Sequence, residues 1–190
     1  MASCEEGHVT KEESSSPTVS TESVLLTSIV DALEERDVAI IDIPNAFIQT
    51  RVQDAKDRVV ICITGVIVDW LVKAAPKVYA KYVAVNSRGE KSLLMECFNA
   101  IYGTMVAGLL CYRKFSSSLE KRGFVMNPYD PCIYDCKISH VGKKVVDYTV
   151  AWLREEYESI FTDGTGKMKV ARGKVHTYLG MTLDFTNPSL

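Results

Sequence analysis

The spacing of apolar positions changes along the chain, and each change marks an element. From Thr21, which can cap a helix, Val24, Leu25, Ile29, Val30 and Leu33 recur at helical spacing, which predicts about four turns ending near Arg36. Val38-Ala39-Ile40-Ile41 is too short for a helix and reads as a buried strand ending at Asp42. Pro44 cannot donate to a ladder, so the chain turns there. Val59 to Val68 is rich in Val and Ile and reads as strand, with Gly65 as a bend. Tyr79–Val85 and Lys91–Cys97 flank the turn-forming Asn86-Ser87-Arg88-Gly89, which predicts a β-hairpin.

Met105, Leu109, Tyr112, Phe115 and Leu119 then give the longest helical pattern, stopped by Gly123. Asn127–Pro131 reads as loop. A second helix is expected from Lys143 to Ile160, packing Val146, Val150, Leu153 and Tyr157. A turn at Thr162–Lys167 and a strand at Tyr178–Phe185 follow. This order predicts an α+β fold rather than strict βαβ alternation. Residues 1–20 hold Ser14-Ser15-Ser16-Pro17 and a charge run without apolar period, so they read as a disordered leader; 187–190 form a tail.

Composition narrows the function classes. At 47% hydrophobic and 24% charged, the 190 residues suffice for one core. No apolar run reaches the ~18 residues of a membrane span, and the acidic start MASCEEGHVTKEE is no secretory signal. The six cysteines are scattered, several in apolar runs, and read as reduced thiols of a cytosolic or nuclear protein. The net charge of −2 is unusual for a nucleic-acid binder, but residues 1–40 hold nine Asp or Glu against two Lys or Arg. The remaining body is therefore mildly basic.

Asp42 is the first candidate for chemistry. An acid ending a buried strand needs a metal, a cation or a backbone donor, and strand-end acids are where phosphoryl-transfer enzymes hold Mg²⁺. The alternative is a carboxylate that caps the turn before Pro44. Cys132, Cys136 and His140 are spaced by four, and His176 could complete a Zn²⁺ set if 132–140 were helical, though Pro131 and the β-branched neighbours oppose that. The excess of Lys and Arg over 137–174 reads as a solvated face or as phosphate contacts. Gly164-Thr165-Gly166 is too short for a phosphate loop, and no Gly-x-Ser-x-Gly stands out for hydrolysis.

Asp42-Ile43-Pro44-Asn45-Ala46-Phe47-Ile48-Gln49 resembles the first catalytic motif of Ty1/copia-type retrotransposon reverse transcriptases. Asn99-Ala100-Ile101-Tyr102-Gly103 is similar to that family's Leu-Tyr-Gly element. Tyr112–Phe115, Gly123-Phe124 and Asp130-Pro131-Cys132 resemble its helix, Gly-Phe and Asp-Pro-Cys succession, and Tyr178-Leu179-Gly180-Met181 its Tyr-Leu-Gly strand. The collinear set covers about residues 21–186. The resemblance implies a palm-and-fingers antiparallel sheet backed by helices, with Asp42 as a Mg²⁺ ligand and Phe47 as the ring that excludes a 2′-hydroxyl. It further implies nucleotide contacts at Gln49, Tyr102 and Gly103, and primer contacts at Tyr178, Leu179, Gly180 and Met181.

Two departures qualify the resemblance. Thr104-Met105-Val106-Ala107 replaces the family's Leu-Lys-Gln-Ala, removing polar contacts. No Asp-Asp pair occurs anywhere. Tyr134-Asp135-Cys136-Lys137-Ile138 looks like the end of the missing turn and its returning strand, with Tyr134 in the first Asp's place and Asp135 as the surviving second metal ligand. About one or two strands of five to six residues are absent before it. The expectation is an incomplete domain of RNA-directed DNA polymerase ancestry that does not polymerise as written. Its implied partners are an RNA template, a DNA primer, deoxynucleotides and the rest of a polyprotein. Its implied location is the cytoplasm, a virus-like particle or the nucleus. The alternatives are a non-catalytic remnant serving as a nucleic-acid-binding or interaction module, and a small zinc-binding module.

Overall fold

The computed structural model describes residues 15–52, 59–104, 106–136, 143–158 and 166–186. Helix α1 (Thr21–Leu33) leads to strand β1 (Ala39–Asp42). Next come β2 (Val59–Thr64), α2 (Val66–Ala74), the single turn α3 (Pro76–Tyr79), a 3₁₀ turn (Ala80–Tyr82), β3 (Ala84–Val85) and β4 (Lys91–Cys97). The chain continues through α4 (Ala107–Lys121), β5 (Phe124–Met126), β6 (Tyr134–Cys136), α5 (Lys143–Tyr157), β7 (Lys169–Arg172), β8 (Val175–Tyr178) and β9 (Met181–Asp184). The fold is α+β, built from small antiparallel sheets: β1 with β7, β2-β4-β3, β5 with β6, and β8 with β9.

The main core forms where α4 and α5 meet strands. Leu119, Trp152, Leu153, Tyr157 and Met168 are buried, and Ile41, Ile43, Phe115, Phe124, Tyr134 and Val170 pack against them. The pairs β1–β7 and β5–β6 therefore share one helix layer. Between β1 and α4 the chain makes β2, α2, α3, β3 and β4, and the β1–β7 and β5–β6 pairs are separate two-stranded sheets. A polar clasp joins the helices: Glu156 accepts from the Ser118 hydroxyl and pairs with Arg122 at 3.0 Å. The Arg122 guanidinium lies 4.1 Å over the Trp152 ring, covering its edge of the core. A second, smaller core sets Val59, Cys97 and Val106 against Ile61 and Leu110 beneath the three-stranded sheet.

Several sequence expectations are corrected. Helix α1 is capped by Ser20, whose hydroxyl accepts from the Ser23 N–H at 3.0 Å, and ends at Leu33, followed by Glu35 at φ 50°. None of its residues is buried, so the stripe of Leu25, Ile29 and Leu33 is exposed. The apolar run from Val59 splits at Gly65 (φ 69°) into strand and helix, because Val68 finds a fully buried seat on a helical face. Pro76 opens a new helical turn within the stretch before the expected hairpin, leaving only Ala84–Val85 to pair with β4. The turn itself forms as expected, the Asn86 carboxamide oxygen accepting from the N–H groups of Arg88 and Glu90 at 2.9 Å each. Tyr178–Phe185 is a hairpin, not one strand. Residues 15–20 run without regular structure, and the Ser20 N–H donates to Asp130 at 3.1 Å; residues 1–14 and 187–190 lie outside the described residues.

Candidate functional site

Asp42 ends β1 and is exposed, so the expectation of an acid on a buried strand is corrected: β1 is half-buried. The cause is the strand's alternation. Ile41 turns into the helix layer, so Asp42 faces away from it, opposite Lys169 on β7. Asp135 is placed the same way on β6. Tyr134 packs into the core, and Asp135 is exposed, opposite Val125 and 3.5 Å from the Asn127 side-chain amide. Both carboxylates thus leave the helix layer, but from separate strand pairs. Among the described residues no three His, Cys, Asp or Glu gather as a metal cage. Tyr134 matters here too. It stands where the resemblance requires an acid, yet its ring is inward and its hydroxyl is buried. Burial pushes that phenol up from its ordinary value.

The turn after β1 carries the next candidates. Residues 45–50 close on themselves, the Gln49 N–H donating to Asn45 O at 3.2 Å and the Thr50 N–H to Phe47 O at 2.8 Å. Asn45 accepts the required left-handed conformation at φ 55°, which Asn tolerates. The turn docks on the chain after β4. Asn99 Nδ2 donates to Ile48 O at 2.7 Å, the Ala100 N–H to Thr50 O at 2.8 Å and the Val52 N–H to Phe98 O at 2.9 Å. This brings the Phe47 and Tyr102 rings together, with centroids 4.6 Å apart and planes tilted by 36°. Tyr102 is 54% exposed, and Gly103 follows at φ 89°, a conformation that a side chain would strain. Gln49 is buried. Its Nε2 donates to Pro44 O at 2.9 Å and its Oε1 has no partner, so the side chain closes the turn instead of facing outward.

One residue of this region was illegible in the sequence. Lys114, on α4, donates from Nζ to Gln49 O at 2.9 Å and lies 4.6 Å over the Tyr157 ring. Burial pulls its pKa below the ordinary lysine value. Between Tyr112 and Phe115 a lysine reads as a solvated position, and no spacing signal distinguishes it.

The remaining candidates lie elsewhere. Tyr178 and Met181 face each other across the β8–β9 turn, whose central residues Leu179 and Gly180 have φ of 48° and 77°. Positive φ at both positions is the type I′ pattern, and it leaves Leu179 77% exposed. His176, considered for zinc, is buried, with Nε2 2.8 Å from Gly173 O and its ring against Phe185 at 6.1 Å. Cys132 and Cys136 are half-buried, and His140 lies outside the described residues. Asp130 is structural: it accepts from the N–H groups of Cys132 at 2.9 Å and Ser20 at 3.1 Å. These bonds hold its carboxyl below the usual range.

No protein-family model, no curated protein and no solved structure matches this chain.

Proposed function

We propose that the chain is a palm-and-fingers piece of a Ty1/copia-type reverse transcriptase that has lost polymerase activity. The observation that carries this reading is the meeting of two motifs that resemble the family separately in sequence. Phe47 and Tyr102, each expected at the nucleotide, stack at 4.6 Å on an accessible surface. That Asp42 and Asp135 both face away from the helices supports it further.

In such an enzyme Mg²⁺ neutralises charge on the transferring phosphoryl group, a contribution of several kcal/mol. The donor set of this chain falls short of that site. Asp42 faces Lys169, Asp135 stands on another strand pair, and Tyr134 fills an acid's place with an inward ring. No catalytic step is therefore assigned to it.

What remains is a non-catalytic binding module for an RNA template, a DNA primer and deoxynucleotides, derived from a larger polyprotein. Titration with a short RNA–DNA hybrid at two salt concentrations tests the reading. Binding that weakens as salt rises is expected, because phosphate contacts release counterions. Absence of binding at low salt would remove the reading.

A further inference from the structure

We infer that β2 is the pairing edge of a two-fold dimer, its open side taking the β2 strand of a second copy of this chain. The sheet order β2-β4-β3 makes β2 and β3 the two edges. Natural edges are blunted by shortness, charge, proline or a bulge. β3 is blunted, being only Ala84 and Val85. β2 is not. It pairs with β4 over all six residues without a bulge, and residues 59–68 include no charged residue and no proline. The Gly65 N–H donates to Lys91 O at 3.1 Å, continuing the β2–β4 ladder. Polar groups alternate in direction along an antiparallel strand, so Val59, Ile61 and Ile63 turn theirs to β4. Val60, Cys62 and Thr64 therefore turn N–H and C=O to the open edge, where no backbone partner meets them among the described residues.

The occupant is a second copy because this edge fits itself. Antiparallel pairing about a two-fold at Cys62 uses all three outward residues. Val60 meets the second copy's Thr64, Cys62 its counterpart, and Thr64 the second copy's Val60, with about six backbone hydrogen bonds. Between them Ile61 meets the second copy's Ile63, and Ile63 its Ile61, in the closer, non-hydrogen-bonded pairs. Both isoleucines are half-buried in the single chain, on the face of the buried Val59, and pairing covers their open sides. On the other face the exposed Val60, Cys62 and Leu94 join their counterparts in one strip. No charged side chain of one β2 opposes another. Any extended segment satisfies the backbone groups; the copy also matches the isoleucines. Pairing uses up both open edges and leaves the short β3 at each outer edge, so assembly closes at two.

The test measures mass by sedimentation equilibrium and residue-resolved amide exchange on the full chain, in reducing buffer, across a dilution series. No ligand is involved, so the outcome is independent of the polymerase reading. Twice the chain mass is expected, with slow exchange at Val60, Cys62 and Thr64 that is lost as dilution yields monomer. Ile61 and Ile63, bonded to β4, stay protected throughout. Cys62→Lys sets like charges opposite each other at the two-fold and should weaken association about tenfold or more, with Ile61 and Ile63 still protected. Cys62→Ser should leave the dimer intact. Should C62K lose protection at Ile61 and Ile63, it has not folded, and the dilution series on the unaltered chain decides alone. A monomer at every concentration overturns the inference, whether the outward amides exchange fast or are covered by another part of the same chain. Assemblies larger than two, or a dimer whose Val60, Cys62 and Thr64 amides stay fast, overturn it as well.

Discussion

Replacing Glu156 by Ala tests whether α4 and α5 are held as one layer. Glu156 is the hub of the clasp. It accepts from Ser118, which is buried, and pairs with Arg122, which stacks on the buried Trp152. Removal costs a charged hydrogen bond of about 1.5–3 kcal/mol. Arg122 moderates the loss because 26% of its side chain is exposed and can turn to water. We expect a net destabilisation of about 2–3 kcal/mol, and a fall in Tm of about 5–10 °C for a chain of this size. Glu156→Gln keeps an acceptor for Ser118 and loses only the ion pair, so it should cost about 1 kcal/mol. Urea unfolding followed by far-UV circular dichroism measures both. An E156A variant within about 0.5 kcal/mol of the parent would refute the clasp as a source of stability.

Two further outcomes follow from the local geometry. Asp130 has a folded pKa below its unfolded one. Its contribution is therefore present above the ordinary carboxylate value and lost as pH falls through the lower folded one; Asp130→Asn should flatten that acid arm, read by exchange of the Ser20 and Cys132 amides. Leu179 occupies the left-handed region at φ 48°, so Leu179→Gly should relieve about 1 kcal/mol of strain and slow amide exchange across β8–β9; faster exchange would contradict the turn geometry.

The sequence was most informative where period and punctuation agree. Lys91–Cys97, the Asn86 turn, the stop at Gly123 and the start of β1 fall where apolar spacing and turn residues place them. It misled where a β-branched run serves a helix. Val66, Ile67 and Val68 continue the composition of β2, and only Gly65 marks the change. The short strands β5, β7 and β8 have three or four residues each, too few for a periodic signal. For the site, chain order made Phe47 and Tyr102 candidates, but their contact depends on hydrogen bonds between distant backbones that no local pattern encodes. Lys114 was missed for the same reason.

Our central proposal is that the chain has polymerase ancestry and an acid site that is not assembled. Its most direct test compares DNA synthesis on an RNA template, with a DNA primer and Mg²⁺, by this chain and by one carrying a strand and an Asp-Asp turn inserted before Tyr134. No extension by the chain as it stands and measurable extension by the restored one is the expected result. Robust extension by the unaltered chain, or none after insertion into a folded protein, would contradict it.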